Sequence, residues 1–438
     1  VTTSPPLARL LDRTADAVAA VRAGRSLTQA LDALDAELRP GVLALASDVM
    51  RRLGTALAVR ERLAPREPPA PVDALLLSAL ALLVPRDGAT PYSDYTLVDQ
   101  AVTAARHRTP EAVGFINAVL RRFVRERGAL LEAVMHQGVA AFNHPLWWIE
   151  RVRQDWPASW RELLAADNQA PPMVLRVNAR RGTADDYVRR LAANGRQAQV
   201  VGPHAVWLAA PCPVAQLPGF AQGDVSVQDL SAQRAAPLLL KPPLPAGARV
   251  LDACAAPGGK TAQLLELADL DVTALDVDGA RLQRVQQNLQ RLQLQAKLVC
   301  ADARAVDRWW DGTLFQAVLL DAPCSASGVV RRHPDVRWLR RAQDVATLAH
   351  TQTELLDALW PTVAPGGVLL YVTCSIFRVE GQQQIDAFLQ RHREHGALQD
   401  NAAPGHVLPL PDNGPDQSAP APVVGDGFFY ALIRKPSP

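Results

Sequence analysis

Lysine is nearly missing from this chain. Only Lys241, Lys260, Lys297 and Lys435 occur among 46 lysines and arginines, so the positive charge is arginine almost throughout. Arginine grips phosphate with a planar fork, but an arginine-biased genome produces the same composition. The formal net charge is +2, so overall charge gives no argument for a nucleic-acid partner and any basic surface must be local. Cysteine is scarce: five in 438 residues, at 212, 254, 300, 324 and 374, with no C-x-x-C spacing. An odd, dispersed set argues against a disulfide framework and against a zinc or other metal site, and points to a reducing, cytoplasmic setting. No apolar run approaches the ~20 residues a bilayer span needs, so no membrane partner is expected. Residues 1–9 show no basic-then-apolar secretion pattern. At 48% hydrophobic and 21% charged, the chain has enough apolar residues for two or three domains with buried cores.

Residues 1–140 read as an all-α bundle. Leu27, Ala30, Leu31, Leu34 and Leu38 recur at helical spacing, as do the apolar residues of 75–84, and Pro65, Pro68, Pro69 and Pro71 mark a loop between them. Residues 114–122 read as a helix with an apolar face and a basic end. Residues 141–240 read as a small α/β module: a helical stretch punctuated by Trp147, Trp148, Trp156 and Trp160, strands at 174–178 and 205–208, and a helix at 185–192. Pro242, Pro243 and Pro245 close it off. From Arg249, strands at 249–253, 272–275, 297–300, 317–320 and 367–373 alternate with helices at 261–267 and 280–292. This alternation predicts an α/β, doubly wound, mostly parallel sheet over 241–438, with ligands at the carboxyl ends of its strands. Residues 401–424 read as a Pro/Gly/Asp-rich loop before a final aromatic strand.

The loop Cys254-Ala255-Ala256-Pro257-Gly258-Gly259-Lys260-Thr261 follows the first of these strands. Its end satisfies a Walker A loop, but the first glycine would fall at Cys254, and the Rossmann G-x-G-x-x-G is absent. Asp276 ends the second strand, where a carboxylate can accept from both ribose hydroxyls. Asp302 ends the third, within reach of an adenine amine. Together they describe an adenosine held by sugar and base with no phosphate to cradle, which fits S-adenosylmethionine.

Asp321-Ala322-Pro323-Cys324-Ser325 and Thr373-Cys374-Ser375 end two later strands. Amine methyltransferases usually carry Asn/Asp-Pro-Pro-Tyr at the first of these places; here a cysteine stands where that tyrosine would be. C5 of cytosine takes a methyl group only after a thiolate has added to C6, so paired cysteines suit nucleophilic catalysis on a pyrimidine. Asp321, protonated or bridged, can hydrogen-bond the N3/N4 edge of the base. Cys300 and Cys212 read as small buried hydrophobes. Cys254 has no evident chemical task.

These motifs resemble the NOL1/NOP2/Sun family of RNA 5-methylcytosine methyltransferases. The resemblance implies a Rossmann-like class I methyltransferase domain and cofactor contacts from Cys254, Ala255, Ala256, Pro257, Gly258, Gly259, Lys260, Asp276, Asp302 and Asp321. It also implies Cys374 as nucleophile, Cys324 in product release, and Lys260 near the base. Residues 227–233, 328–335 and 425–431 look like further family elements. Leu97-Val98-Asp99-Gln100-Ala101-Val102 and Phe115-Ile116-Asn117-Ala118-Val119-Leu120-Arg121 make the head similar to NusB, an RNA-binding helical bundle. A NusB-like head on this body implies 16S ribosomal RNA as substrate, at cytosine 967. DNA is not an expected partner, and nothing in the sequence demands more than a monomer. After Cys374 relatives often carry Glu-Asn-Glu; Glu380 keeps the first residue, and Gly381 and Gln382 replace the other two. Arg121, Arg122, Arg125 and Arg127, and also Arg331, Arg332 and His333, are candidate phosphate contacts. Two rival readings are the same chemistry on tRNA, and a catalytically idle RNA-binding assembly factor.

Overall fold

A computed structural model describes residues 5–85, 90–411 and 424–437. The chain divides into two compact units, Val1–Ala170 with Val330–Ala342, and Pro171–Val329 with Gln343–Pro438.

Among its described residues the first unit is all-α. Its long helices are Leu7–Arg22, Arg39–Leu63, Ala70–Leu83, Asp94–Arg108 and Val113–Val134. Helix Ala70–Leu83 is apolar on all sides and is buried from Val72 to Leu83, as befits the centre of a bundle. The one carboxylate in that stretch, Asp73, is ion-paired with Arg22 and Arg60. The periodicity of 27–38 gives only a short helix, Leu27–Asp32. Ser26 and Gln29 cap its start reciprocally, and the next helix begins at Arg39. Leu31 and Leu38 nonetheless both enter the core. Helices continue past residue 140 through Leu146–Asp155 and Trp160–Asp167.

The stretch Val330–Ala342 returns to this helical unit from far along the chain. Arg337 is fully buried there. It donates to the carbonyls of Asn143 (3.1 Å) and Asp167 (2.7 Å) and to the side-chain oxygen of Asn168. Asp335 accepts from Leu27 N at 2.8 Å, and Trp338 Nε1 donates to Met50 O at 2.8 Å.

The second unit carries two sheets. The smaller is antiparallel, in order β2-β3-β1-β4, from β1 (Met173–Val177), β2 (Ala198–Gly202), β3 (Ala205–Leu208) and β4 (Val225–Val227). The larger contains β5 (Ala248–Ala253), β6 (Leu270–Asp276), β7 (Lys297–Cys300), β8 (Phe315–Asp321), β9 (Val363–Thr373), β10 (Leu398–Val407) and β11 (Phe428–Arg434). Its order is β10-β11-β9-β8-β5-β6-β7, parallel from β9 to β7, with β11 and β10 antiparallel at one edge. β8 and β9 are buried on both faces: Ala317, Leu319, Leu370 and Val372 enter one core, and Val318, Leu320, Leu369 and Tyr371 the other. Continuous apolar runs, rather than alternation, are therefore what these strands require.

The strand order reverses between β5 and β8. This switch point opens a crevice at their carboxyl ends, where open α/β sheets bind ligands. Part of the stretch read as a loop from 401 belongs instead to β10, which extends to Val407; residues 412–423 of that stretch lie outside the described residues. β10 carries Asp400, Asn401, Pro404 and Gly405, and its pairing with β11 shifts register between Asp400 and Gly405. Such residues and irregular pairing are tolerated on an edge strand and erase the strand pattern.

The small sheet is tied to the helix Gly259–Leu267 by Arg176 of β1. Both partners are almost fully buried, and Arg176 grips Glu266 bidentately at 2.8 and 2.9 Å while donating to Gly259 O at 2.7 Å. Removing one side of a buried pair like this costs about 3–5 kcal/mol.

Candidate active site

Where β5 ends, Cys254 adopts a left-handed φ of 62° and Gly258 one of 91°. A Cβ on Gly258 would lie 2.9 Å from Val285 Cγ1, so this position needs glycine both for its backbone and for space. The loop is fastened to the end of β6. Asp276 Oδ2 accepts from Ala256 N at 3.0 Å, Asp276 Oδ1 from Asp278 N at 3.1 Å, and Arg281 Nη2 donates to Ala256 O at 2.8 Å. A cavity of about 310 Å3 opens here, and Cys254, Asp276, Asp302, Asp321, Cys324 and Cys374 all line it. Lys260 Nζ donates to Asp321 Oδ2 at 2.5 Å. Burial works against the lysine's charge, but the Asp321 carboxylate more than offsets it and leaves the ammonium harder to deprotonate than usual. Asp302 is engaged by its neighbour: Arg304 donates to it from its backbone N (2.9 Å) and from Nη2 (2.7 Å), which holds the carboxyl below its usual range.

Cys324 and Cys374 follow adjacent parallel strands, β8 and β9, and their sulfurs stand 3.4 Å apart. The hydrogen bond to Cys374 and burial both push the Cys324 thiol well above its ordinary range, so Cys324 keeps its proton at neutral pH. Behind the two sulfurs lies Glu380, fully buried. Its carboxylate accepts from Ser325 N (2.8 Å), Ser325 Oγ (2.5 Å), Ser375 Oγ (2.6 Å) and Gln352 Nε2 (3.2 Å). Its own carbonyl accepts from Tyr371 and Thr373. Burial raises the Glu380 pKa, and the two serine hydroxyls counter that rise. One acid thus clamps the residue after each cysteine.

Asp252, under the cofactor loop, is 0% exposed. It accepts from Thr261 Oγ1 at 2.5 Å, and its Oδ1 has no hydrogen-bond partner among the described residues. Burial raises its pKa from 3.8 to about 7. A carboxyl raised in the folded state favours folding below its unfolded pKa and loses that contribution as pH climbs toward 7. Asp252→Asn is therefore expected to gain about 2–3 kcal/mol on the wild type between pH 5 and pH 8. Chemical denaturation at both pH values checks this; an equal difference at the two would show that Asp252 does not titrate as described.

A family model for the 16S rRNA methyltransferase RsmB/F matches residues 238–434, and one for the ferredoxin-like domain of RsmF/B-like methyltransferases matches residues 144–215. Ribosomal RNA small subunit methyltransferase B of Yersinia pestis is 47% identical over 336 residues, which is 75% of this chain and 74% of that protein. The chain belongs to the RsmB/F family. The Erwinia tasmaniensis protein of the same name is 44% identical over 345 residues, 77% of each. Among solved structures, PH0851 superposes with a TM-score of 0.72 at 25% identity, covering 97% of this chain and 99% of that one. A methyltransferase homolog from Pyrococcus horikoshii gives 0.54 at 27% identity, covering 68% and 97%.

Not every residue singled out in the sequence meets at this RsmB/F site. Cys300 is exposed at the end of the edge strand β7, and Cys212 is half-buried; neither is a buried core cysteine. Arg331 is buried in the helical unit, where its carbonyl accepts from Arg51, so its side chain does not face solvent. In the same unit Arg122 pairs with Glu126, Arg127 with Asp94, and Arg121 donates to Asn117. The sequence does not single out Arg281, Arg304 or Gln352, gives Ser325 and Ser375 no role beyond ending the two cysteine motifs, and marks Glu380 only as the remnant of an acidic pair.

Proposed function

We propose that this chain transfers a methyl group from S-adenosylmethionine to C5 of a cytosine in 16S ribosomal RNA, at cytosine 967, through a covalent adduct with Cys374. The observation that carries this reading is the 3.4 Å approach of two cysteine sulfurs beside the cavity that Asp276 lines. The relatives named ribosomal RNA small subunit methyltransferase B support the RNA and the subunit. The fit to the cofactor rests on the donor set. Each Asp276 oxygen accepts one backbone N–H and keeps a lone pair for a ribose hydroxyl. The cofactor supplies a methyl group on a sulfonium, ready for a carbon nucleophile.

The chain's own residues do the rest. Cys374, once deprotonated, adds its sulfur to C6, and the electron pair of the C5–C6 double bond moves onto C5. C5 takes the methyl group. The C5 proton then passes to solvent, its electron pair reforms the C5–C6 double bond, and Cys374 leaves as thiolate, with the protonated Cys324 thiol beside it donating to the departing sulfur. Asp321, bridged by Lys260, holds the N3/N4 edge of the base and steadies the charge that develops there. The target base must leave its stack to reach the cleft. The helical unit reads as a NusB-like head that holds the surrounding RNA.

Bisulfite mapping of 16S rRNA from cells with and without this protein tests the proposal. Cytosine 967 is expected to lose its protection when the protein is absent. An unchanged 16S map with a changed tRNA map would overturn the substrate.

A further inference from the structure

The catalytic unit holds a second cavity that this reaction does not use. It measures about 650 Å3 and lies among the β2–β3 turn, the short helix Ala235–Leu239 and strand β10. That is within the range of small-ligand sites. Pro203, Leu230 and Leu238 line it with apolar surface, and the exposed cations Arg234 and Lys241 also border it. Gln263, 2% exposed, lies in its wall. The amide nitrogen of Gln263 donates to Gln233 O at 2.7 Å, but Oε1 is buried with no hydrogen-bond partner among the described residues. Nδ1 of the lining His204 is in the same condition. A buried acceptor in this state is costly unless a ligand brings a donor. Lys241 acts on Asp400, but that carboxylate is already taken by Arg434 and by Ala402 N.

We propose that this cavity binds one nucleotide of single-stranded RNA flanking the target cytosine. The base lies against the apolar wall, a rotation of the Gln263 side chain brings Oε1 to an amine or ring N–H of that base, and Arg234 and Lys241 hold its phosphate. The inference rests on the RNA-methylation reading and extends it to the neighbouring sequence. Placement supports it. Gln263 follows Lys260 by three residues on helix Gly259–Leu267, so the two are neighbours on that helix, and Lys260 holds Asp321 in the catalytic cavity. A strand of a few nucleotides therefore reaches both. Single-stranded nucleic acid is held by a basic track beside rings on which bases stack; here Arg234 and Lys241 supply the charge and the His204 ring the stacking face.

The test uses the full chain and two variants, Arg234→Ala with Lys241→Ala, and Pro237→Trp, which places a bulky ring at the slot. Probes are a short oligoribonucleotide around the target cytosine, and free CMP, AMP and GMP. Oligonucleotide affinity, followed by fluorescence anisotropy, is expected to fall about tenfold in both variants. The double variant's salt slope is expected to drop by about 0.7–1.4. KM for RNA should rise in step, with kcat and S-adenosylmethionine affinity unchanged. Unchanged oligonucleotide affinity in both variants would overturn the proposal. So would a loss confined to the free mononucleotides, which would mark a small-molecule site. If the wild type methylates no cytosine in RNA, the preceding reading fails, while the anisotropy series still decides what this cavity holds.

Discussion

Cys374→Ala is expected to lose methyl transfer by at least about 10⁴-fold, the scale seen when a covalent nucleophile is removed. Binding of S-adenosylmethionine should persist, because the Asp276 loop is fastened by backbone bonds that do not involve the cysteine. Cys324→Ala should behave differently. Addition at C6 proceeds, release stalls, and an RNA–protein adduct survives a denaturing gel. On the proposed mechanism the contrast is sharp, since two sulfurs 3.4 Å apart, just past the ends of neighbouring strands, would address the same base. An adduct in Cys374→Ala and none in Cys324→Ala would show that the roles are exchanged. Methyl transfer retained in Cys374→Ala would remove the covalent mechanism.

The second large effect belongs to Glu380, which touches neither the cavity nor, on this reading, the substrate. Glu380→Ala leaves Ser325 N, two serine hydroxyls and the Gln352 amide without their buried acceptor. Each such loss costs about 1–3 kcal/mol, so about 3 kcal/mol or more is expected in all. Both cysteine loops then lose their common anchor, and kcat should fall about 100-fold, as a misplaced catalytic group does. Glu380→Gln keeps one acceptor oxygen and should recover part of both. Thermal unfolding together with steady-state kinetics checks this. A lowered Tm with wild-type kcat would reduce Glu380 to a purely structural role.

Much of the catalytic sheet was legible because its signals are local. Ala317–Leu320 and Leu369–Val372 are apolar runs too short for helices, and each ends at a polar residue, so the strand ends announced themselves. The Cys254–Thr261 loop and the acids after it were readable for the same reason. What stayed hidden depends on distant pairing. β10 is polar because it is an edge strand, and nothing within Leu398–Val407 says that Phe428–Arg434 will pair with it. Cys300 looked like core and proved exposed, since the sequence does not say that β7 is the last strand of the sheet. Glu380 stood out only as an isolated acid. Its partners lie 28 and 55 residues away at Gln352 and Ser325, as well as 5 away at Ser375, and they meet only when β8 and β9 lie side by side. Arg337 likewise reads as one surface arginine among many until its acceptors, nearly 170 to 194 residues earlier, are known.

That buried arginine bears on how the polypeptide matures at the ribosome. The helical unit is made from Val1–Ala170 and Val330–Ala342, with 159 residues (171 to 329) synthesised in between. Until Arg337 emerges, the carbonyls of Asn143 and Asp167 lack their donor, and Leu27 N waits for Asp335. The first-made part of the protein is thus completed only after β5 to β8 and the Pro323-Cys324 turn have been translated, and before β9, β10 and β11. The chain therefore cannot finish the head before it has begun the catalytic sheet.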